Sequence, residues 1–583
     1  MKDMWVKEKN TKVFLLVLQT AVLVLFAIFI IRYSEKGVEE SKSVAMERFY
    51  SSEEVELALC NRLSGKIDSS ADVFIRWWKK PDSANCYLFF SEALQGKDMY
   101  WMISRDADVF IGDRKIEEYD EFDLEEGKYE VRIVVNEEEC KYTLEVMYGS
   151  KLATLFVETE SGALDYLHES KENWEAGNYS LLDSDGKLKN AGRVRNIRGR
   201  GNASWTDSEK KSYKMTLENK AGLLGMSKSR DWLLISNAAD DTLTRNEVAY
   251  AISEDLGLAY TPNSEYIEVY VNGEYLGLYS LTEKIEIGNN RVAIRNLEDE
   301  MKKMNGEVDL SSFEFFMEEQ GRLFSTKGYR IPEQPENISG GYLLELEMLD
   351  RYGLEASGYI TSRMQGVVFN SPKYASYEQV SYIANMYQDF EDAMYSENGC
   401  SPYSGKHFSE YIDINSFAGK YILEELTKNL DASYTSQFFY KPDSSMSDKF
   451  FAGPVWDYDK AIAGYGVTES GIDLHIPEQI YAASEKNAGD IWYGLCKHEC
   501  FMDVVKEVCK TTLKESVEEI AKDELFELKA KIYKSAKNNM IRWNVYGQYE
   551  TIEEKMDYYN EKIQEQSDFL IKRMAFLQEE WGV

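Results

Sequence analysis

Four short stretches combine residue types that do chemistry. Ile197-Arg198-Gly199-Arg200-Gly201-Asn202-Ala203-Ser204-Trp205 sets two arginines among glycines. Glycine lets a backbone approach a ligand closely, and guanidinium forks match phosphate oxygens. A tight hairpin with solvated arginines is the plainer alternative. In Lys210-Lys211-Ser212-Tyr213-Lys214-Met215-Thr216-Leu217, the residues Tyr213, Met215 and Leu217 alternate with Lys214 and Thr216. A period of two predicts a half-buried strand with Lys214 on its open face, as a phosphate contact or as an ordinary solvated lysine. Lys428-Asn429-Leu430-Asp431 follows a helical pattern. A carboxylate in a loop at a helix end can orient or deprotonate a hydroxyl; the plainer roles are a cap for Asn429 and solvent exposure for Asp431. Last, Gly453-Pro454-Val455-Trp456-Asp457-Tyr458-Asp459 puts two carboxylates two positions apart. In an extended segment they face one side. Like charges that close repel unless a cation lies between them, and hard oxygen ligands suit Mg²⁺, Mn²⁺ or Ca²⁺. A solvated edge strand is the alternative.

The elements that must position these residues are legible in outline. Thr244 to Leu256 reads as a helix: Thr244 and Glu247 have capping-box spacing, Ala249, Ile252 and Leu256 share a face, and Gly257 stops it. Ile267 to Val271, Asn272-Gly273 and Glu274 to Tyr279 predict a hairpin with a type I′ turn. A second helix is expected from about Ile414 to Asn429, capped by Asp413, with Phe417, Tyr421 and Leu426 on its buried side. The last eighty or so residues read as helical. Gly-rich turn, strand lysine, helix, hairpin, helix, loop Asp and metal-type Asp is the order of parts in protein kinases, although the strings H-R-D and D-F-G are absent.

The strings themselves resemble the spore coat protein H (CotH) kinase family. The matching stretches include Arg198 to Trp205, Lys211 to Leu217, Gly222 to Met226, Asp231 to Asn237, Leu243 to Asn246, Tyr270 to Tyr279, Thr282 to Ile285, Gly340 to Glu347, Lys428 to Asp431 and Gly453 to Asp459. The resemblance implies an atypical protein-kinase-like fold over residues 151–583 that transfers phosphate from ATP, with Mg²⁺ or Mn²⁺, to Ser/Thr hydroxyls of envelope or coat proteins. It implies Asp431 as the catalytic aspartate and Asp457 as the metal-binding one. Lys214 is then the phosphate lysine, with Lys211 as the alternative; Arg198, Arg200 and Asn202 lie near the phosphates, and Glu283 lies beside the nucleotide cleft. Many relatives carry Asn five positions after the catalytic Asp. This chain has Ser436 there, a weaker oxygen ligand, so Asp459 takes more of the metal.

Bulk properties bound the rest. With 583 residues, 44% apolar and 13% aromatic, the chain fills a sizeable core. A net charge of −35 excludes the basic footprint of a nucleic-acid binder. The seven cysteines contain no C-x-x-C, so no zinc ribbon is readable. The uncharged run 13–31, flanked by Lys12 and Arg32, has the length of a bilayer-spanning helix. The expected architecture is therefore α+β: a cytoplasmic flank (1–12), one transmembrane helix (13–31), a polar stalk (32–58), a small all-β sandwich-like module (59–150) and the kinase-like domain (151–583). That makes the chain a single-pass membrane protein with its large domain outside. A surface scaffold or adhesin that keeps the fold without the chemistry is the competing function.

Overall fold

The computed structural model describes residues 43–61, 73–487 and 490–583. Seven strands close into a barrel: β1 (Ala153–Thr159), β2 (Trp174–Leu182), β3 (Leu188–Arg200), β4 (Ser212–Ala221), β5 (Ser229–Ile235), β6 (Ser264–Val271) and β7 (Glu274–Glu283). Their spatial order is β1-β2-β3-β4-β5-β7-β6, and parallel pairing of β6 with β1 closes the ring. Alternation decides the faces. Tyr213, Met215 and Leu217 of β4 are buried with Ile197, Trp232, Leu234, Val269 and Leu281 in the barrel core, which leaves Lys214 outside. Asn272 and Gly273 take φ of +54° and +80° between β6 and β7, the turn that the Asn-Gly pair predicts. Helix α1 (Arg245–Asp255) follows β5.

A second sheet holds β8 (Phe315–Gln320), β9 (Leu323–Tyr329), β10 (Tyr342–Glu347), β11 (Gly358–Ile360), β12 (Gly366–Ser371), β13 (Gln437–Lys441) and β14 (Phe451–Ala452), in the order β8-β9-β11-β12-β10-β13-β14. Helices α2 (Tyr377–Tyr395) and α3 (Ile414–Thr427) share the largest apolar core with this sheet, α4 (Leu525–Arg542) and α5 (Ile552–Trp581). Asp413 caps α3 by accepting from Ser416 N at 2.9 Å, and Phe417, Tyr421 and Leu426 are buried. The helix ends at Lys428, which adopts a left-handed conformation (φ 46°), one residue before the expected cap.

Helix α3 carries charges where a buried helix normally has none. Arg573 of α5 donates to the Glu425 backbone carbonyl at 3.0 and 2.8 Å and pairs with the Glu425 carboxylate, both side chains being fully buried. Glu425 also accepts from Tyr481 N at 2.6 Å and Ala483 N at 3.2 Å. One ion pair thus ties α3, the 481–483 segment and the C-terminal helix together.

Ahead of the barrel, two sheets formed between Leu57 and Tyr148 pack around one core that also takes in Leu182, Tyr270 and Tyr275 of the barrel. Residues 43–58, expected within a polar stalk, are built into this part. Ser43 caps the helix Val44–Tyr50, whose Ala45, Met46 and Phe49 pack on Ala58, Phe74 and Met102.

The expected architecture needs correcting. No helix among the described residues is long and apolar enough to cross a membrane. The longest, α5, spaces its buried positions among Glu, Lys and Arg and is shaped to lie against α3 rather than in lipid. The described chain is instead rich in strands, with a closed barrel and a second seven-stranded sheet. The single-pass membrane reading is withdrawn on that finding; the run 13–31 itself lies outside the described residues, as does the flank 1–12.

Arg573→Met removes the partner of a fully buried carboxylate. Breaking one side of such a pair costs about 3–5 kcal/mol, so urea denaturation of this variant is expected at a clearly lower midpoint than that of the wild type.

Candidate functional site

A cleft of about 360 Å³ opens between the barrel and the second sheet. Its barrel wall is made by Arg200 at the end of β3 and Asn202 just after it, Ser212 on β4, Ile235 on β5, Ser280 and Thr282 on β7, and Asn246, Glu247 and Tyr250 on α1. The facing wall has Glu345 and Glu347 on β10, Asp431, Ser436 and the segment Trp456, Asp457, Asp459 and Lys460.

Asp457 and Asp459 reach the cleft by a route that differs from simple strand alternation. Asp457 has φ +70°, so the segment is kinked rather than extended. Tyr458, between them, turns into the core. Its backbone N donates to Asn246 Oδ1 at 2.8 Å, and its hydroxyl donates to Glu424 Oε1 at 2.6 Å. Lys420 Nζ donates to the same hydroxyl at 2.7 Å and to Glu424 at 2.6 Å, with Lys420 and Glu424 fully buried on α3. Anchoring the middle residue from α3 and α1 forces its two neighbours outward. Ser436, itself at φ +57°, donates to Asp457 Oδ2 at 3.0 Å.

The converging carboxylates repel one another. Burial first, then Asp457 and Asp459, push the Asp431 carboxyl up to about 8. Burial, then Asp457 and Asp240, push Asp459 up to about 7. On the facing wall, burial and then Glu347 raise Glu345 to about 8. Arg200 and Lys460 act in the opposite direction on Asp459. Such a cluster favours a bound cation.

The expected phosphate-binding set separates into two groups. Arg200 and Asn202 line the cleft, with the Arg200 guanidinium 5.5 Å from the Trp456 ring centroid. Arg198, two residues before Arg200 on β3, pairs with Glu172 at 3.1 Å. Lys214 pairs with Asp231 at 2.8 Å beyond the cleft lining, because β4 enters the cleft at Ser212. Lys211 donates to the Trp205 and Ser208 carbonyls, both at 2.6 Å. Glu283 accepts from Ser227 N at 3.1 Å and Asn263 Nδ2 at 3.0 Å, pinning two loops outside the cleft. The Gly-rich stretch is no tight hairpin either. It ends β3 and leads into the helical turn Ala203–Thr206. A methyl group at Gly199 would lie 2.2 Å from the Trp205 ring, and one at Gly201, where φ is +91°, would lie 2.0 Å from Ser204 Oγ. These glycines make room for the chain's own loop.

Sequence reasoning missed Glu247, Tyr250, Glu345, Glu347 and Lys460. Glu247 has capping-box spacing to Thr244, yet Thr244 makes no side-chain cap bond and donates to Gln566 at 2.9 Å. Glu247 instead accepts from Ser264 at 2.8 Å and Ser280 at 3.2 Å at the cleft wall. Lys460 adjoins the Asp-Tyr-Asp string and could have been read from it.

Among the described residues, no group of three or more His, Cys, Asp or Glu is arranged to hold a metal ion, so the expected set Asp457, Asp459 and Ser436 is no closed metal centre. The donors present are nevertheless hard oxygens in a charge-unbalanced cleft. Mg²⁺ is ordinarily held by one or two carboxylates together with substrate phosphates and water, and a carboxylate pair fits that demand.

A family model described as CotH kinase protein matches residues 197–570, well over half of the chain. The chain belongs to the CotH kinase family and is kinase-like. A comparison with curated proteins finds no match.

The raised Asp431 pKa has a direct consequence. A carboxyl whose folded value (about 8) exceeds its ordinary value of 3.8 contributes stability at low pH, and that contribution is lost as pH rises from about 4 through 8. In EDTA, the melting temperature is expected to fall across that window more steeply for the wild type than for Asp431→Asn; parallel profiles would contradict the assignment.

Proposed function

We propose that this CotH-family chain is an ATP-dependent phosphotransferase acting on Ser or Thr hydroxyls of a protein. The observation that carries the reading is the convergence of Asp431, Asp457 and Asp459 with Arg200 and Lys460 in one cleft between two lobes. A scaffold gains nothing from three mutually repelling carboxylates held at a cost to stability.

Asp457 and Asp459, with Ser436 orienting Asp457, would hold the divalent cation. That cation, when bound, offsets charge on the phosphate oxygens. Arg200 and Lys460 supply further positive charge from opposite walls. Asp431 receives the acceptor's proton. The acceptor oxygen bonds to the γ-phosphorus as the bond from that phosphorus to the β–γ bridging oxygen breaks, and ADP leaves with the bridging oxygen. Proximity and fixed charge do most of the work in such a site. With its pKa near 8, the Asp431 carboxyl is mostly protonated at neutral pH; a cation held by Asp457 and Asp459 would offset their charge and favour the ionised form that can take the acceptor's proton.

The test is transfer of labelled γ-phosphate from ATP to the protein itself and to a Ser/Thr-rich protein, with Mg²⁺ and with Mn²⁺. Asp457→Ala is expected to abolish incorporation. Asp431→Asn should bind nucleotide but turn over about 10²–10⁴-fold more slowly. Lys214→Met, outside the cleft, should stay within about twofold of the wild type, and Arg200→Ala should not. Absence of incorporation by the wild type under either metal would sink the reading.

A further inference from the structure

Among the buried tyrosines in and around the barrel, Tyr250 is the one that lines the cleft. Tyr266 donates to Leu243 O at 2.6 Å, Tyr270 to Phe89 O at 3.0 Å and Tyr279 to Lys211 O at 2.8 Å, and the Tyr213 hydroxyl lies 2.7 Å from His168 Nε2. These four hydroxyls have structural partners, the usual arrangement; the buried Tyr275 hydroxyl has none among the described residues but lies outside the cleft lining. Tyr250 is 7% exposed, yet its hydroxyl has no hydrogen-bond partner among the described residues and lines the cleft. It projects from α1 three residues after Glu247, on the same helix face. Glu247, Arg200, Asp457 and Asp459 line the same cleft. A phenol that shares this cleft with Arg200 on the barrel side and with Asp457 and Asp459 on the facing wall is available to a phosphate chain held between them. Burial, followed by those carboxylates, holds its ionisation well above the ordinary phenol range, so it remains a donor.

We propose that the Tyr250 hydroxyl is a phosphate-binding group that donates a hydrogen bond to the phosphate chain of the nucleotide and so ties α1 to ligand occupancy. This rests on the ATP-dependent reading above. The geometry needs a ligand that presents anionic oxygens; adenosine alone offers none to this position. Because the hydroxyl satisfies nothing within the protein, removing it should leave the empty fold intact.

The experiment uses the full chain and Tyr250→Phe, which keeps the buried ring. Binding of ATP, ADP and adenosine would be followed by calorimetry in Mg²⁺, alongside thermal melts without ligand. Hydrogen bonds to charged groups are strong enough that ATP affinity should fall about ten- to a hundredfold. Adenosine affinity should be unchanged, and the ligand-free melting temperature should match that of the wild type. Equal ATP affinity in the two proteins would overturn the proposal while leaving the phosphotransferase reading standing. A lower ligand-free melting temperature with parallel losses for ATP and adenosine would assign Tyr250 a structural role and overturn it too. Failure of the wild type to bind ATP would overturn both.

Discussion

The site depends on a buried charge network on α3. Lys420 and Glu424 have no contact with solvent and jointly hold the hydroxyl of Tyr458. Buried charges are tolerated only when paired and hydrogen-bonded, so the network is rigid in a way that an apolar contact would not be. Its output is directional. With Tyr458 fixed inward and its backbone N held by Asn246 of α1, Asp457 and Asp459 have nowhere to go but the cleft. The Glu425–Arg573 pair then locks α3 to the C-terminal helix. The stretch of this helix from Lys420 to Glu425 therefore connects the C-terminal region to the cleft carboxylates.

The two lobes contribute unlike things. The barrel supplies a cation, Arg200, and neutral donors on β4, β7 and α1. The second sheet and its loops supply most of the carboxylates. A second network closes the gap between them: Arg245, buried at the start of α1, pairs with Asp240 and Asp241 and donates through Nε to Ile462 O at 3.3 Å, just past the cleft segment. The helix that carries Asn246, Glu247 and Tyr250 is thereby joined at its first turn to the strand of chain that carries Asp457 and Asp459. Positions on the two walls are coupled without any ligand present.

Local pattern made much of this readable in advance. The Asn-Gly hairpin, the buried face of β4, the Asp413 cap and the amphipathic end of the chain follow from residue period and turn chemistry, and the structure has them. Asp431, Asp457, Asp459, Arg200 and Asn202, picked out by type and order, do line one cleft. What failed was depth. A period of two says that Lys214 leaves the barrel on its outer face but not how far along β4 the cleft extends, and the cleft stops at Ser212. Glu283 and Lys211 were placed near the nucleotide by resemblance, whereas their side chains are consumed by nearby backbone and loop groups. Glu247 has the spacing of a cap, and only the tertiary fold, which gives Thr244 a partner on α5, frees it for the cleft wall. The helix Val44–Tyr50 went unread because Ala45, Met46 and Phe49 are too few and too short a pattern to announce a buried helix.

The central claim is that the Asp457–Asp459 pair is a divalent-cation site completed by nucleotide phosphates. Electron paramagnetic resonance of Mn²⁺ titrated into the full chain, with and without a non-hydrolysable ATP analogue, tests it most directly. The account predicts that Mn²⁺ binds tightly only when the analogue is present, and that Tyr458→Phe, which cuts the anchor to Lys420 and Glu424, weakens that binding although Tyr458 itself never faces the ion. Mn²⁺ binding that ignores the analogue, or no binding with it, would contradict the account.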